Sequence, residues 1–99
     1  MIVVWGVIEI AEEKIEAALE ISLGHVRRSR EEPGCVSHSV CVDAENSCRL
    51  VFFEEWQSMD ALQIHFAVPA SGRFVNEISQ LATAKPVMKL YDSQQIQPA

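Results

Sequence analysis

Basic residues, cysteines and aromatic side chains are all scarce in this chain, and no long apolar run occurs. Eight Lys+Arg stand against fourteen Asp+Glu in 99 residues, a formal charge of −6 with the three His neutral. Without a basic cluster to meet phosphate or anionic lipid, nucleic acid and membrane surfaces are not expected partners. The opening MIVVWGVIEI is apolar but lacks a positive start and a cleavage site, and Ala11-Glu12-Glu13-Lys14 ends it. Neither a signal peptide nor a membrane span is expected. Cys35, Cys41 and Cys48 form no C-x-x-C pair and have only His38 nearby, which argues against structural zinc. An odd number of thiols without an export signal reads as a reduced, cytoplasmic protein. Cys35 and His38, three residues apart on a strand, should face opposite sides, so no activated cysteine nucleophile is expected. Three scattered histidines offer no H-x-x-x-H pair or facial triad, and there is no glycine-rich phosphate loop or dinucleotide fingerprint. No metal and no cofactor are therefore expected.

What is present reads as one globular domain over 1–99, with a core from about 2 to 91 and a polar tail over 92–99. Hydrophobic residues at 48% and charged residues at 22% are ordinary for such a domain. Ile2 to Ile10 is Val/Ile-rich and apolar on both faces, as in a strand covered on both sides. A helix opened by Ala11-Glu12-Glu13 should follow and run to about Arg30. Ile15, Ala18, Leu19, Ser22, Leu23 and Val26 make its buried stripe, with acids early and Arg27, Arg28 and Arg30 late. Gly24 within this pattern costs about 1 kcal/mol relative to Ala, which suggests a neighbouring backbone passing close by. His25, near the end, should be exposed or bonded to the helix's last carbonyls. Pro33-Gly34 stops the helix.

Cys35–Asp43 and Arg49–Trp56 read as strands joined by a polar turn over Ala44–Ser47, hence an antiparallel hairpin. Val36, His38, Val40 and Val42 should share one face of the first. Leu50, Phe52, Glu54 and Trp56 should share one face of the second, with Val51, Phe53 and Glu55 opposite. Ser58 is a good N-cap for a helix to about Val68, Pro69 interrupts it, and a further helical stretch carries Phe74, Val75, Ile78, Leu81 and Ala82. Val87–Tyr91 is the last strand. The order β-α-β-β-α-β predicts an α+β, ferredoxin-like domain: a four-stranded antiparallel sheet with helices on one face. Strands apolar on both faces leave one face uncovered. An exposed apolar patch of roughly several hundred Å² marks a partner surface, so a homodimer joined sheet to sheet is expected. Trp5 falls on the face opposite Val4 and Ile8, suited equally to that interface or to a pocket.

The segment Phe52-Phe53-Glu54-Glu55-Trp56-Gln57-Ser58-x-x-Ala61-Leu62-x-x-His65 resembles the E-x-W-x-S-x-x-A-L-x-x-H signature of antibiotic biosynthesis monooxygenase domains. Glu32-Pro33-Gly34-Cys35 resembles the turn ahead of that family's second strand, and the likeness runs from about Ile2 to Tyr91. It implies a dimeric α+β barrel and, as in the family's characterised enzymes, oxidation of an aromatic or quinol substrate by O₂ without metal or flavin. Family members often carry a second His in a segment like S-P-H, where this chain has Val68-Pro69-Ala70, so a two-histidine mechanism loses support. The haem-degrading branch's strand-one Asn and helical Trp are also missing.

The candidate catalytic residues are His65 and Glu54. Glu54 shares its strand face with Phe52 and Trp56 and must find a donor or stay protonated there. His65 shares a helix stripe with Ala61 and Leu62 and should point at the sheet. A Glu54–His65 hydrogen bond would satisfy both, either as a strand-to-helix latch or as a base oriented for proton abstraction. Phe52, Trp56, Leu62, Phe66, Phe74, Ile78 and His38 are the candidate substrate-binding residues, a set that also describes an ordinary core. Tyr91, Asn76 and Arg73 are weaker polar candidates. The leading expectation is a cofactor-independent monooxygenase for a small aromatic or quinol substrate. The alternatives are a small-molecule-binding, stress-related barrel without catalysis and a structural dimerisation module.

Overall fold

The computed structural model describes residues 1–98. Four strands, β1 (Ile2–Glu9), β2 (Cys35–Asp43), β3 (Asn46–Trp56) and β4 (Val87–Asp92), form one sheet in the order β2-β3-β1-β4. All three pairings are antiparallel. Helices α1 (Ile15–Ser29), α2 (Met59–Ala67) and α3 (Pro69–Leu81) complete the α+β, ferredoxin-like fold. No helix among the described residues is long and apolar enough to cross a membrane.

Sequence dictates most of these boundaries directly. A short 3-10 turn at Glu12–Lys14 precedes α1, so the regular helix begins a turn later than its acids suggest. The hairpin turn is tighter than expected, because β3 already starts at Asn46. Ser58 caps α2, its Oγ accepting the Ala61 amide at 3.1 Å. Pro69 does not merely interrupt the helical region. It is the first residue of α3, where its missing N–H costs nothing, and Val68 before it is forced out of the helical region.

Register fixes which side chains meet the helices. Val4, Gly6 and Ile8 oppose Glu54, Phe52 and Leu50, and His38 and Val40 oppose Glu54 and Phe52 in turn. Beneath the helices lie two apolar clusters, one built on Ile8, Ile10, Ala18, Val26, Leu50, Phe52 and Ile78, the other on Val4, Trp56 and Leu62. A bulge between Cys35 and Ser37 breaks the strict alternation of β2. It leaves Val36 exposed, off the face assigned to it, and brings Cys35 to the same side as His38. The expectation that those two point apart is thereby corrected. Burial, followed by Glu54 and Glu32, raises the Cys35 thiol's pKa, so the residue stays a thiol and no nucleophile results.

Two glycines behave oppositely. Gly34 adopts φ +84°, and a Cβ there would stand 2.5 Å from the Ala61 Cβ, so the turn before β2 packs against α2 only because this side chain is missing. Gly24 is exposed with nothing near its would-be Cβ, so the close approach expected there is not made.

Candidate active site

Three histidines from three elements converge between the two apolar clusters: His25 on α1, His38 on β2 and His65 on α2, all buried. Their ring centroids lie 5.3 to 5.7 Å apart, and one nitrogen from each ring lies within 4.8 Å of the others. The histidines are therefore not scattered, and His25 is neither exposed nor a cap. Its place follows from the helix period, because the buried face of α1 runs Ala18, Ser22, His25, Val26, Ser29. Ala18, Ser22 and Val26 of the expected stripe are there, Ile15, Leu19 and Leu23 are only half-buried at its edge, and His25 and Ser29 extend the buried face on the other side. The small Ala18, Ser22 and Ser29 let α1 lie close to the sheet, and His25 then stacks on Phe74 with centroids 4.0 Å apart.

Each imidazole has a different partner, and the partner decides its chemistry. The Nδ1 of His25 lies 2.7 Å from Arg28 Nη2. A guanidinium only donates, so Nδ1 accepts and the ring's proton sits on Nε2. Burial drives the His25 pKa from 6.5 down to about 3, helped by His38, His65 and Arg28 against Glu54, so the ring is neutral. The Nδ1 of His65 lies 2.7 Å from Glu32 Oε1. There Nδ1–H donates to the carboxylate and Nε2 keeps its lone pair. The two rings are thus locked in opposite tautomers.

Glu54 does not bond to His65, and the predicted latch is not formed. Register puts Glu54 opposite His38, whose Nε2 is 3.2 Å from Oε1, while Trp56 Nε1–H donates to the same oxygen at 3.0 Å. The His38 contact is short but off the line of a good hydrogen bond, and neither nitrogen of that ring has an aligned partner among the described residues. Burial pushes the Glu54 pKa up, but the His38 and Trp56 contacts outweigh it and hold the carboxyl below its ordinary value. The donor that Glu54 needed is therefore Trp56, two residues along the same strand face.

A cavity of about 360 Å³ opens beside this cluster, with His25, Glu54 and His65 as its polar wall. Phe52, Phe66, Phe74 and Ile78 line it, joined by Gly6, Val75 and Met88. Trp56, Leu62 and His38 do not: Trp56 and Leu62 are packed with Val4 in the second cluster, and His38 lies behind Glu54. Tyr91, Asn76 and Arg73 are exposed and outside this wall. Trp5 lies on the outer face of the sheet, paired across to Phe53 and Lys89. Sequence reasoning missed His25, Arg28 and Glu32. Glu32 precedes the Pro33-Gly34 turn, and the Gly34 approach to Ala61 is what brings its carboxylate to α2.

A cation bound by all three imidazoles would need a lone pair from each. Arg28 denies the one on His25 Nε2, so the cluster as it stands offers at most His38, His65 and the Glu54 carboxylate.

A family model described as antibiotic biosynthesis monooxygenase matches residues 1–77. The chain is 34% identical over 90 residues to an uncharacterized protein of Synechocystis sp., covering 91% of this chain and 61% of the relative. It therefore spans about three-fifths of that protein's length. A crystal structure of an antibiotic biosynthesis monooxygenase, 29% identical, superposes with a TM-score of 0.89 over 96% of this chain and 100% of the other. A Deinococcus radiodurans structure under the same family name, 17% identical, gives 0.94 over 100% and 98%, a likeness of fold.

Proposed function

Because this chain belongs to the antibiotic biosynthesis monooxygenase family, we propose that its cavity receives a small flat aromatic or quinol-type molecule and promotes its oxidation by O₂ without metal or flavin. The observation that carries this reading is an apolar cavity of about 360 Å³ whose wall holds His65, its Nδ1 committed to Glu32. His65 Nε2 is then the free basic nitrogen facing the ligand. Triplet O₂ reacts slowly with closed-shell molecules, and removing a proton from a phenol or quinol gives the electron-rich anion that reacts faster. One oxygen atom would enter the ring compound and the other leave as water, the four electrons coming from the substrate, so no external reductant is needed. Glu54, ionised and tied to Trp56, is the second acceptor on the same wall.

The outer sheet face supports the homodimer. Trp5, Val51, Phe53 and Tyr91 lie there without a covering layer, Phe53 and Tyr91 being 43% and 52% exposed. A second copy is the natural cover for such a surface.

Oxygen uptake with reduced naphthoquinones and anthrones tests the catalytic reading. Consumption above buffer is expected for the natural sequence, and a loss of roughly 10² or more in His65→Ala, the usual size for a general base. Tight binding of the same compounds with no uptake would move the assignment to a ligand-binding barrel.

A further inference from the structure

We infer that His25 is the donor half of a two-imidazole clamp on a single ligand oxygen, a phenolic or enolic hydroxyl whose proton His65 accepts. This rests on the reading of His65 as base and adds a residue and a chemical requirement to it. His25 is polarised by Arg28, whose guanidinium donates to Nδ1 at 2.7 Å and leaves Nε2–H as a donor. His65 is polarised the opposite way by Glu32, also at 2.7 Å, and presents a lone pair. Both rings border the cavity, and neither Nε2 has a protein partner among the described residues.

The spacing fits one oxygen. Two hydrogen bonds of about 2.8 Å meeting at one oxygen can span at most about 5.6 Å, while the His25 and His65 ring centroids are 5.3 Å apart and one nitrogen from each ring of the triad lies within 4.8 Å of the others. A hydroxyl placed there gives its proton to His65 and accepts from His25. As the proton moves to His65 Nε2, the O–H bond breaks, an N–H bond forms and the oxygen gains a full negative charge that the His25 N–H already faces. Such a preformed donor strengthens as charge develops, which is how oxyanion sites act. Stacking on Phe74 at 4.0 Å and an interplanar angle of 5° fixes the ring's direction. Charge on this neutral ring would be costly, because burial and its imidazole neighbours hold its pKa near 3. His25 therefore stays a donor and does not compete with His65 as a base. A ligand with a ketone or an ether in place of the hydroxyl would satisfy only one of the two rings.

The test is binding, which does not depend on turnover. A nitrophenol, whose phenolate has its own absorption band, is titrated into the protein at neutral pH, with the matching nitroanisole as control. The expected result is a larger phenolate fraction bound than free and, in His25→Phe, that excess gone with about tenfold weaker nitrophenol binding, a larger loss than nitroanisole suffers, because an ether oxygen carries no developing charge for the N–H to stabilise. Phe keeps the stack on Phe74 and removes the N–H, together with the Nδ1 that accepts from Arg28. Nitrogen NMR of the natural sequence supplies an arm that needs no variant: His25 should carry its proton on Nε2 and His65 on Nδ1. Arg28→Met, remote from the ligand, should redistribute the His25 proton and reduce the phenolate fraction. Equal nitrophenol binding in His25→Phe, no nitrophenol binding by the natural protein, or an Nδ1-protonated His25 would each overturn the clamp. Phenolate binding with no oxygen uptake on any substrate would leave the clamp standing and refute the oxidation.

Discussion

His25 makes the stability of this protein sensitive to acid in a window where few other groups act. In the folded chain burial, with His38, His65 and Arg28, holds its pKa at about 3, against 6.5 for the unfolded residue. Above pH 6.5 both states carry neutral rings and His25 contributes no pH dependence. As the pH falls below 6.5 the unfolded chain takes up a proton that the folded chain refuses, so stability drops, and the drop levels off only near pH 3. Each pH unit inside that window costs at most about 1.4 kcal/mol. From pH 7 to pH 5 the integrated ceiling is about 2 kcal/mol. The ring borders an open cavity, so water reduces the effect, and a loss of about 1 to 2 kcal/mol is expected. Glu54, whose pKa is lowered mainly against burial by His38 and Trp56, also loses its contribution in acid, but below the ordinary carboxylate range. Urea unfolding at pH 7.5, 6.5, 5.5 and 5.0, at fixed protein concentration, should show the midpoint falling with an unchanged slope. His25→Phe should flatten that fall. Equal stability of the natural protein at pH 7 and 5, or an undiminished fall in His25→Phe, would refute the desolvated-imidazole reasoning.

Three further outcomes follow from local geometry. Gly34→Ala should destabilise by about 2 to 3 kcal/mol, combining the left-handed strain with a Cβ placed 2.5 Å from that of Ala61, and a thermal melt should show a drop of about 10 °C or more. Gly24→Ala should instead stabilise by about 0.5 to 1 kcal/mol in the same melt, since the exposed helical site has nothing within 4 Å of the new methyl. Trp5→Glu should halve the mass seen by light scattering without changing the circular dichroism spectrum. A dimer that survives a charge at the centre of the outer sheet face would place the interface elsewhere.

How much of this was legible in the sequence depends on how local the cause is. The element order, the Ser58 cap, the Pro33-Gly34 stop and the shared face of Leu50, Phe52, Glu54 and Trp56 all follow from spacing of a few residues, and the structure has them. The misses have one physical origin, competition between partners distant in the chain. Glu54 needed a donor, and both Trp56 and His65 were available in principle. Register placed it opposite His38 and beside Trp56, leaving His65 to Glu32, which is 33 residues away. Alternation in β2 failed at a bulge that no single residue announces. His25 was misplaced because Ile15, Leu19 and Leu23 drew the expected stripe to one side, whereas its Ala18, Ser22 and Val26 share the buried face with His25 and Ser29.

The convergence of the histidines changes what their number means. Three imidazoles buried together would be costly if all sought protons or all sought donors, since burial and mutual repulsion act on each. Here an obligate donor, Arg28, and an obligate acceptor, Glu32, sit on opposite members and sort them into unlike tautomers. That sorting turns a polar cluster in an apolar core into a directed site, with a lone pair and an N–H beside one cavity. It also explains why the turn at Gly34 matters for chemistry as well as folding. A methyl at that position would push the Glu32 turn from α2, His65 would lose the partner that fixes its proton, and the two rings would no longer be bound to differ.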